Sequence, residues 1–314
     1  DGLKDLFFSG NMVSSRLYLN QGGLKFADIT ELSGTLTKSW CTGASFVDIN
    51  QDGLLDLYVC VAGVVAPKLR KNIFYINQGI DEKGVPHFTN EALEMGLADE
   101  GYSTMAVFFD YDKDLDLDMY LLTNSMEGNQ RNMLKPISVD GNSESTDRFY
   151  LNNGDESFSN HSKQAGILIE GFGLVIAICD INQDNWLDVY CANDFISNDL
   201  LWINNQDGTF TEMAGKYFKH FTNNGMGMDV ADYNNDGLLD IVELDMMPIT
   251  NLRQKLMFAF RNMDRMHEAE EMGYLTQYMR NTLQLNMGKF PDGQYRFSEI
   301  GLLGGMYQTD WSWA

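Results

Sequence analysis

The sequence predicts an all-β chain: a β-propeller of four-stranded antiparallel blades, about five repeats long, with Asp-rich calcium loops and one helical insertion. Three observations predict it. First, an Asp-rich loop recurs, its fifth position falling on residues 1, 52, 114, 184 and 236, at intervals of 51, 62, 70 and 52. A period of that length marks a solenoid, propeller or array. Second, each complete loop runs into apolar strand formers: Leu57-Tyr-Val, Met119-Tyr-Leu, Val189-Tyr-Cys and Ile241-Val. Third, a later signature returns as Leu17-Tyr-Leu-Asn20, Phe74-Tyr-Ile-Asn77, Phe149-Tyr-Leu-Asn152, Leu201-Trp-Ile-Asn204 and Leu283-Gln-Leu-Asn286. A glycine-bearing turn and then Phe26, Phe88, Phe158, Phe210 or Phe297 follow it. Each unit therefore reads strand, loop, strand, connector, strand, Asn/Gly turn, strand, which is the make-up of a propeller blade.

Taken in order, the opening copy supplies only positions 5 and 9, Asp1 and Asp5. The next carries Asp48, Asn50, Asp52 and Asp56, with Leu54 at position 7 able to offer its carbonyl. The third has Asp110, Asp112, Asp114, Asp116 and Asp118; the fourth Asp180, Asn182, Asp184, Trp186 and Asp188; the fifth Asp232, Asn234, Asp236, Leu238 and Asp240. Oxygen ligands at alternate positions converge on one centre, and an all-oxygen set selects calcium. About four complete sites and one truncated site are expected. Magnesium, which demands octahedral geometry and keeps its waters, suits these loops poorly. His87, His161, His220 and His267 are scattered, so transition metals lack ligands. An ion-free Asp/Gly hairpin would explain a single copy; four copies argue for an ion that relieves carboxylate repulsion.

Glu243 stands twelve positions into the last loop and completes an EF-hand pattern, but the sister loops carry Val59, Leu121 and Cys191 there. EF-hand is therefore rejected, although Glu243 could lend a ligand in that copy alone. Position 6 requires a positive φ, which Gly53 and Gly237 adopt freely and Asn185 tolerates. Leu115 does not, so the loop at 110 is expected to be distorted and to bind calcium more weakly than the loop at 232. Cys179 and Cys191 flank one loop and could meet across a hairpin. Buried free thiols are the preferred reading for all four cysteines, which show no zinc spacing.

Composition sets the bounds. An apolar fraction of 44% suffices for a sizeable core, and the formal net charge of -23 argues against nucleic acid and anionic membranes. Four calcium ions would bring that charge to about -15. No apolar run reaches the roughly 18 residues of a membrane span. The chain opens inside a loop, so it reads as an excised segment, and the missing signal peptide is uninformative.

Connector lengths place the decorations. Extra residues fall between the second and third strands, at about 124–147 and 246–282, on the face opposite the loops, and insertions gathered on one face mark a binding face. The larger holds the helical text Leu252-Arg-Gln-Lys-Leu256-Met257-Phe258-Ala-Phe260, preceded by the start signals Pro248 and Thr250. Eight of the 18 methionines lie between 246 and 287. One reading is a helical hairpin packing methionines onto the blades; the other is an adaptable partner platform built on Arg253, Arg261, Arg265 and Tyr278.

The loops, the Leu-Tyr-Leu-Asn turns and the ending Asp310-Trp-Ser-Trp resemble FG-GAP/VCBS-type repeats over essentially the whole chain, 1–314. Gln277-Tyr-Met-Arg-Asn-Thr-Leu-Gln-Leu-Asn286 and Phe297-Ser-Glu-Ile-Gly are similar to bacterial relatives of cartilage acidic protein, usually paired with an ASPIC/UnbV module. The resemblance implies an extracellular, cell-surface or periplasmic propeller of the integrin α-subunit type. It implies calcium held by loop positions 1, 3, 5 and 9 and the carbonyl of position 7. The function expected is non-catalytic recognition of an extracellular protein or glycan, without nucleic acid or membrane insertion. The alternatives are a polysaccharide lyase or hydrolase, with its site on the insertion face, and a structural spacer. No GxSxG, HExxH or phosphate loop is present.

Overall fold

The computed structural model describes residues 2–125, 134–257 and 263–310. Asp1, Arg131, Arg261 and Trp311 lie outside the described residues. The chain divides into two compact units, one of residues 1–110, 114–126 and 148–161, the other of 111–113, 127–147 and 162–314.

The first unit holds three antiparallel sheets. The opening one has three strands, β1 (Leu6–Phe8), β2 (Arg16–Asn20) and β3 (Phe26–Asp28). The next comprises β4 (Cys41–Val47), β5 (Asp56–Val61), β6 (Ile73–Ile80) and β7 (Pro86–Asn90). The third comprises β8 (Ser103–Phe109), β9 (Asp118–Thr123), β10 (Arg148–Asn152) and β11 (Phe158–Asn160). The second unit holds β12 (Gly173–Cys179), β13 (Asp188–Asn193), β14 (Leu200–Asn204) and β15 (Phe210–Glu212), then β16 (Gly227–Ala231), β17 (Asp240–Leu244), β18 (Thr282–Lys289) and β19 (Tyr295–Glu299).

In every sheet sequential strands are neighbours, the arrangement short hairpin loops permit. The runs after the loops become second strands, of which β5, β9 and β13 are buried along their whole length while β17 is buried in part. Around them the first unit packs Tyr58 edge-on to Phe74 and Phe108, at 5.4 and 5.7 Å between ring centroids. The second unit stacks Tyr217 on Phe297 and sets Phe218 against Phe297 and Phe221. Such ring pairs contribute about 0.5–1.5 kcal/mol beyond their buried area.

A meander puts the connections after the first and third strands at one end of a sheet and the connection after the second strand at the other. The two long connectors are of that second kind, between β9 and β10 and between β17 and β18. Within the described residues the larger connector forms α2 (Asn251–Met257) and α3 (Met263–Glu271), and the expected helical stretch at Phe258 and Phe260 lies outside them. Thr250 starts α2, its carbonyl accepting the Gln254 N–H at 3.0 Å. Gly273, at φ +97°, ends α3, where Tyr274 N–H turns back to the Ala269 carbonyl at 3.1 Å. A short helix α1 (Ala214–Tyr217) had no sequence signal; the Glu212 carboxylate accepts its first N–H at 2.6 Å. All four cysteines are buried and free. Cys179 faces Asp188 across the hairpin and Cys191 faces Ile176, so the two thiols are not partners.

Candidate functional site

In three loops, at 48, 180 and 232, the chain folds the same way. The first aspartate receives the N–H groups of positions 5 and 6: Asp52 and Gly53 onto Asp48 at 3.1 and 3.0 Å, Asp184 and Asn185 onto Asp180 at 3.0 and 2.8 Å, Asp236 and Gly237 onto Asp232 at 3.0 and 2.8 Å. The fifth aspartate receives the N–H of position 7, from Leu54, Trp186 or Leu238, at 2.8–2.9 Å. These bonds gather positions 1, 3 and 5 in each loop. In all three, the asparagine at position 3 (Asn50, Asn182 or Asn234) donates its amide Nδ2 to the fifth carboxylate, at 2.9–3.1 Å.

The backbone needs a left-handed residue at two places, not one. Position 6 is so at Gly53, Leu115, Asn185 and Gly237, and position 4 is too, at Gln51, Lys113, Gln183 and Asn235, with φ near 57–67°. The leucine adopts φ +77° and accepts a cost of about 1–2 kcal/mol.

Position 9 has a second role that the sequence signatures hinted at without joining. Asp56, Asp118, Asp188 and Asp240 are fully buried. One oxygen accepts the N–H of the strand asparagine: Asn77, Asn152, Asn204 or Asn286, at 2.8–2.9 Å. In three loops the other accepts the N–H of position 2 at 3.1–3.2 Å, from Ile49, Ile181 or Tyr233. Each of these asparagines then caps its own turn, accepting an N–H two residues on. Asp5 and Asn20 make the same clasp at 2.8 Å. The two recurrent signatures are therefore one device, tying the loop to the third strand. Burial pushes the Asp56 carboxyl up, and takes Asp188 up to about 7, with Asp184 and Asp180 adding to it.

The loop at 110 differs in chemistry. Position 3 is a carboxylate, so no amide hydrogen is available to it. Asp110, Asp112 and Asp114 bring oxygens within 4.8 Å of one another. Asp110 Oδ1 is buried without a hydrogen-bond partner among the described residues. A cluster of hard, negative oxygen donors with a buried acceptor left over fits a calcium ion.

Neighbouring loops are latched. In the first unit Gln51 Nε2 donates to the Leu115 carbonyl at 2.8 Å; in the second, Gln183 Nε2 donates to the Gly237 carbonyl at 2.6 Å. Both donors are at position 4 and both acceptors at position 6.

Glu243 is no calcium ligand. It lies toward the far end of β17, opposite Met228 and Thr282. There it accepts from Thr222 Oγ1 at 2.6 Å and from Tyr190 Oη at 3.2 Å. Tyr190 Oη is also 3.0 Å from Asp199, and Asp199 and Glu243 are hydrogen-bonded to each other. Both acids are buried, and burial raises both carboxyls, Glu243 well above its ordinary range. A hydrogen bond between two carboxyl groups requires a proton on one of them. Asp245, buried beside them, accepts the N–H groups of Asn223 and Asn224 at 2.9 and 3.2 Å.

Over the same end of the second unit lies a cavity of about 570 Å³. Phe195, Ile196, Met246, Met247, Tyr274 and Leu275 supply apolar wall, and Met266 and Ala269 of α3 line it as well. Arg265 and Tyr278, two residues expected to bind a partner, line it. Arg253 does not; it is an exposed side chain paired with Asp310. Sequence reasoning missed Arg280, another lining residue, which holds Glu299 at 2.8 Å with His220 at 3.1 Å from the same oxygen. Burial works to raise Glu299, but the His220 hydrogen bond, the Gly301 N–H and the Arg280 charge outweigh it and leave the carboxyl below its ordinary value.

A family model for FG-GAP-like repeats matches residues 1–59 and 180–243. No curated protein matches the sequence. Among solved structures, the chain is similar to an Agrocybe aegerita lectin described as recognising non-reducing terminal N-acetylglucosamine. That match has 13% identity and a TM-score of 0.36, over 98% of this chain and 78% of that one. It is also similar to the V. cholerae biofilm matrix protein Bap1, at 11% identity and a TM-score of 0.36, over 74% of this chain and 31% of that one. Neither likeness is close enough to bear on function. The repeat match covers the opening half-loop and the loops at 48, 180 and 232, and it supports the FG-GAP-like repeat family.

Proposed function

We propose that the chain is a calcium-stabilised extracellular recognition module. In this reading the sheets are propeller blades and the insertion end of the second unit is the binding face. The observation that carries it is the separation of tasks within the β16–β19 sheet. One end carries the repeated oxygen loop, common to the other blades; the opposite end carries an irregular insertion over a cavity, as a site peculiar to this protein would. Loop positions 1, 3 and 5 supply side-chain oxygens, position 9 adds one already used as a clasp, and position 7 (Leu54, Asp116, Trp186 or Leu238) adds its carbonyl. The more specific kinship to bacterial relatives of cartilage acidic protein, and an envelope location, belong to the same proposal.

Non-catalytic recognition fits the engagement of the charged groups around the cavity. Arg280, His220 and Glu299 hold one another. The test has two arms. Calcium titration by calorimetry should show several sites, lost stepwise with Asp232→Ala and Asp180→Ala. Capture of a protein or glycan partner should be lost with Tyr278→Ala while calcium binding persists. A chain that binds no calcium, or that turns over a polysaccharide with an Arg280-dependent rate, sinks the reading.

A further inference from the structure

We propose that the cavity under α3 is a binding site for a small apolar, ring-containing molecule. It shares the insertion end with the recognition role but does not depend on a macromolecular partner.

The amide side chains and Arg280 of its lining already have partners within the protein. Gln277 Nε2 donates to the Ile196 carbonyl at 2.8 Å, which turns Gln277 Oε1 toward Asn223 Nδ2, also at 2.8 Å. Asn224 Nδ2 donates to Asp194 at 2.9 Å, Gln254 Nε2 to the Pro248 carbonyl at 2.7 Å, and Arg280 to Glu299 at 2.8 Å. Asn223 Oδ1 has no partner among the described residues, but the atom is closed off from solvent. A sugar entering here would give up hydration of its hydroxyls and find these donors taken, a loss of roughly 1–3 kcal/mol for each unpaired group. An apolar ligand loses nothing of that kind.

Size decides between a ligand and an inserted side chain. An apolar cavity of about 150 Å³ already accommodates benzene. At about 570 Å³ this one would be mostly unfilled by a single residue of a docking protein, and it falls within the usual range of small-molecule sites. Its walls include Met246, Met247, Met266 and Met279, whose unbranched thioethers adapt their shape and pack favourably on aromatic rings.

The test is calorimetry with 2-naphthol on the whole chain in calcium. The expected result is one-to-one binding, at least tenfold weaker in Ala269→Phe, which places a ring in the cavity. Met266→Ala enlarges the same space. It should shift preference from 2-naphthol toward a three-ring phenol, and it keeps the test decisive if Ala269→Phe does not fold. N-acetylglucosamine oligomers should not compete with 2-naphthol. Failure of 2-naphthol to bind overturns the inference, as does binding that neither substitution alters, or competition by the sugar. None of these results touches calcium titration or partner capture, so the recognition role fails or stands separately.

Discussion

The two ends of the β16–β19 sheet face one physical problem and solve it differently. Both gather carboxylates that repel one another. At the loop end Asp232, Asp236 and Asp240 stand among backbone N–H donors, with Asp236 exposed, Asp232 half-buried and Asp240 buried. In the proposed reading a cation offsets the carboxylate charge gathered there. At the insertion end Glu243, Asp199 and Asp245 are buried with Tyr190 and Thr222, and a shared proton takes the place of an ion. Solvent access at Asp236 and, in part, at Asp232 separates the two ends, because burial disfavours the charged form of a carboxylate. The ends should therefore respond oppositely to chelators and to alkali.

The largest expected effect is chelation. A site saturated at a hundredfold excess over its Kd contributes about 2.7 kcal/mol, so emptying two loops in one unit should lower its melting temperature by on the order of 10–20 °C. Calorimetric melts with calcium and with EGTA would show it; coincident melts would remove the distinction between the ends.

Next comes the buried pair. Glu243→Ala should cost about 1–3 kcal/mol, because it removes a buried hydrogen-bond partner of Thr222, Tyr190 and Asp199. Unfolded carboxyls titrate near 4, and the folded pair holds its proton to higher pH. The folded chain thus binds more protons over that interval, so stability falls as pH rises from about 4 through the folded-state value. Urea melts in EGTA from pH 5 to 9 should show this decline, and Glu243→Gln, which keeps a hydrogen-bond donor without the ionisation, should flatten it. A stability that climbs with pH in EGTA would contradict the shared proton.

Loop against loop sharpens the comparison further. Leu115 led to the expectation that the loop at 110 binds calcium more weakly than that at 232. The left-handed leucine, however, is already in place in the loop as folded, so its strain lowers fold stability more than affinity. The extra carboxylate at Asp112 acts on affinity directly. Asp112→Asn should then weaken that site by roughly tenfold, since calcium Kd is set by ligand charge as well as rigidity. Leu115→Gly should stabilise the fold by about 1 kcal/mol with little change in affinity. Site-resolved titration finding the Asp232 loop tighter would restore the first ranking.

The smallest effect concerns the latches. Gln183→Ala removes a hydrogen bond to the Gly237 carbonyl and should cost about 1 kcal/mol. It should also uncouple calcium binding at the loops of 180 and 232, measurable as a lost interaction term in a double-mutant cycle with Asp232→Ala.

The sequence by itself determined the units, their strand order and the loop positions, because each depends on near neighbours. Asp-x-Asn-x-Asp-Gly closes on its own backbone, and Leu-Tyr-Val runs make strands wherever a sheet can bury them. It also located both long connectors, since their length is legible without knowing their shape. The clasp between Asp240 and Asn286 was visible only as two separate motifs; the tertiary structure joined them across 46 residues. Glu243 shows the limit most clearly. Its spacing left room for a loop ligand, but one strand carries it to the opposite end of the sheet, against Tyr190 of β13 and Asp199. Local pattern fixes local geometry. Which distant polar groups are sealed together, and whether they hold an ion or a proton, is decided by packing alone.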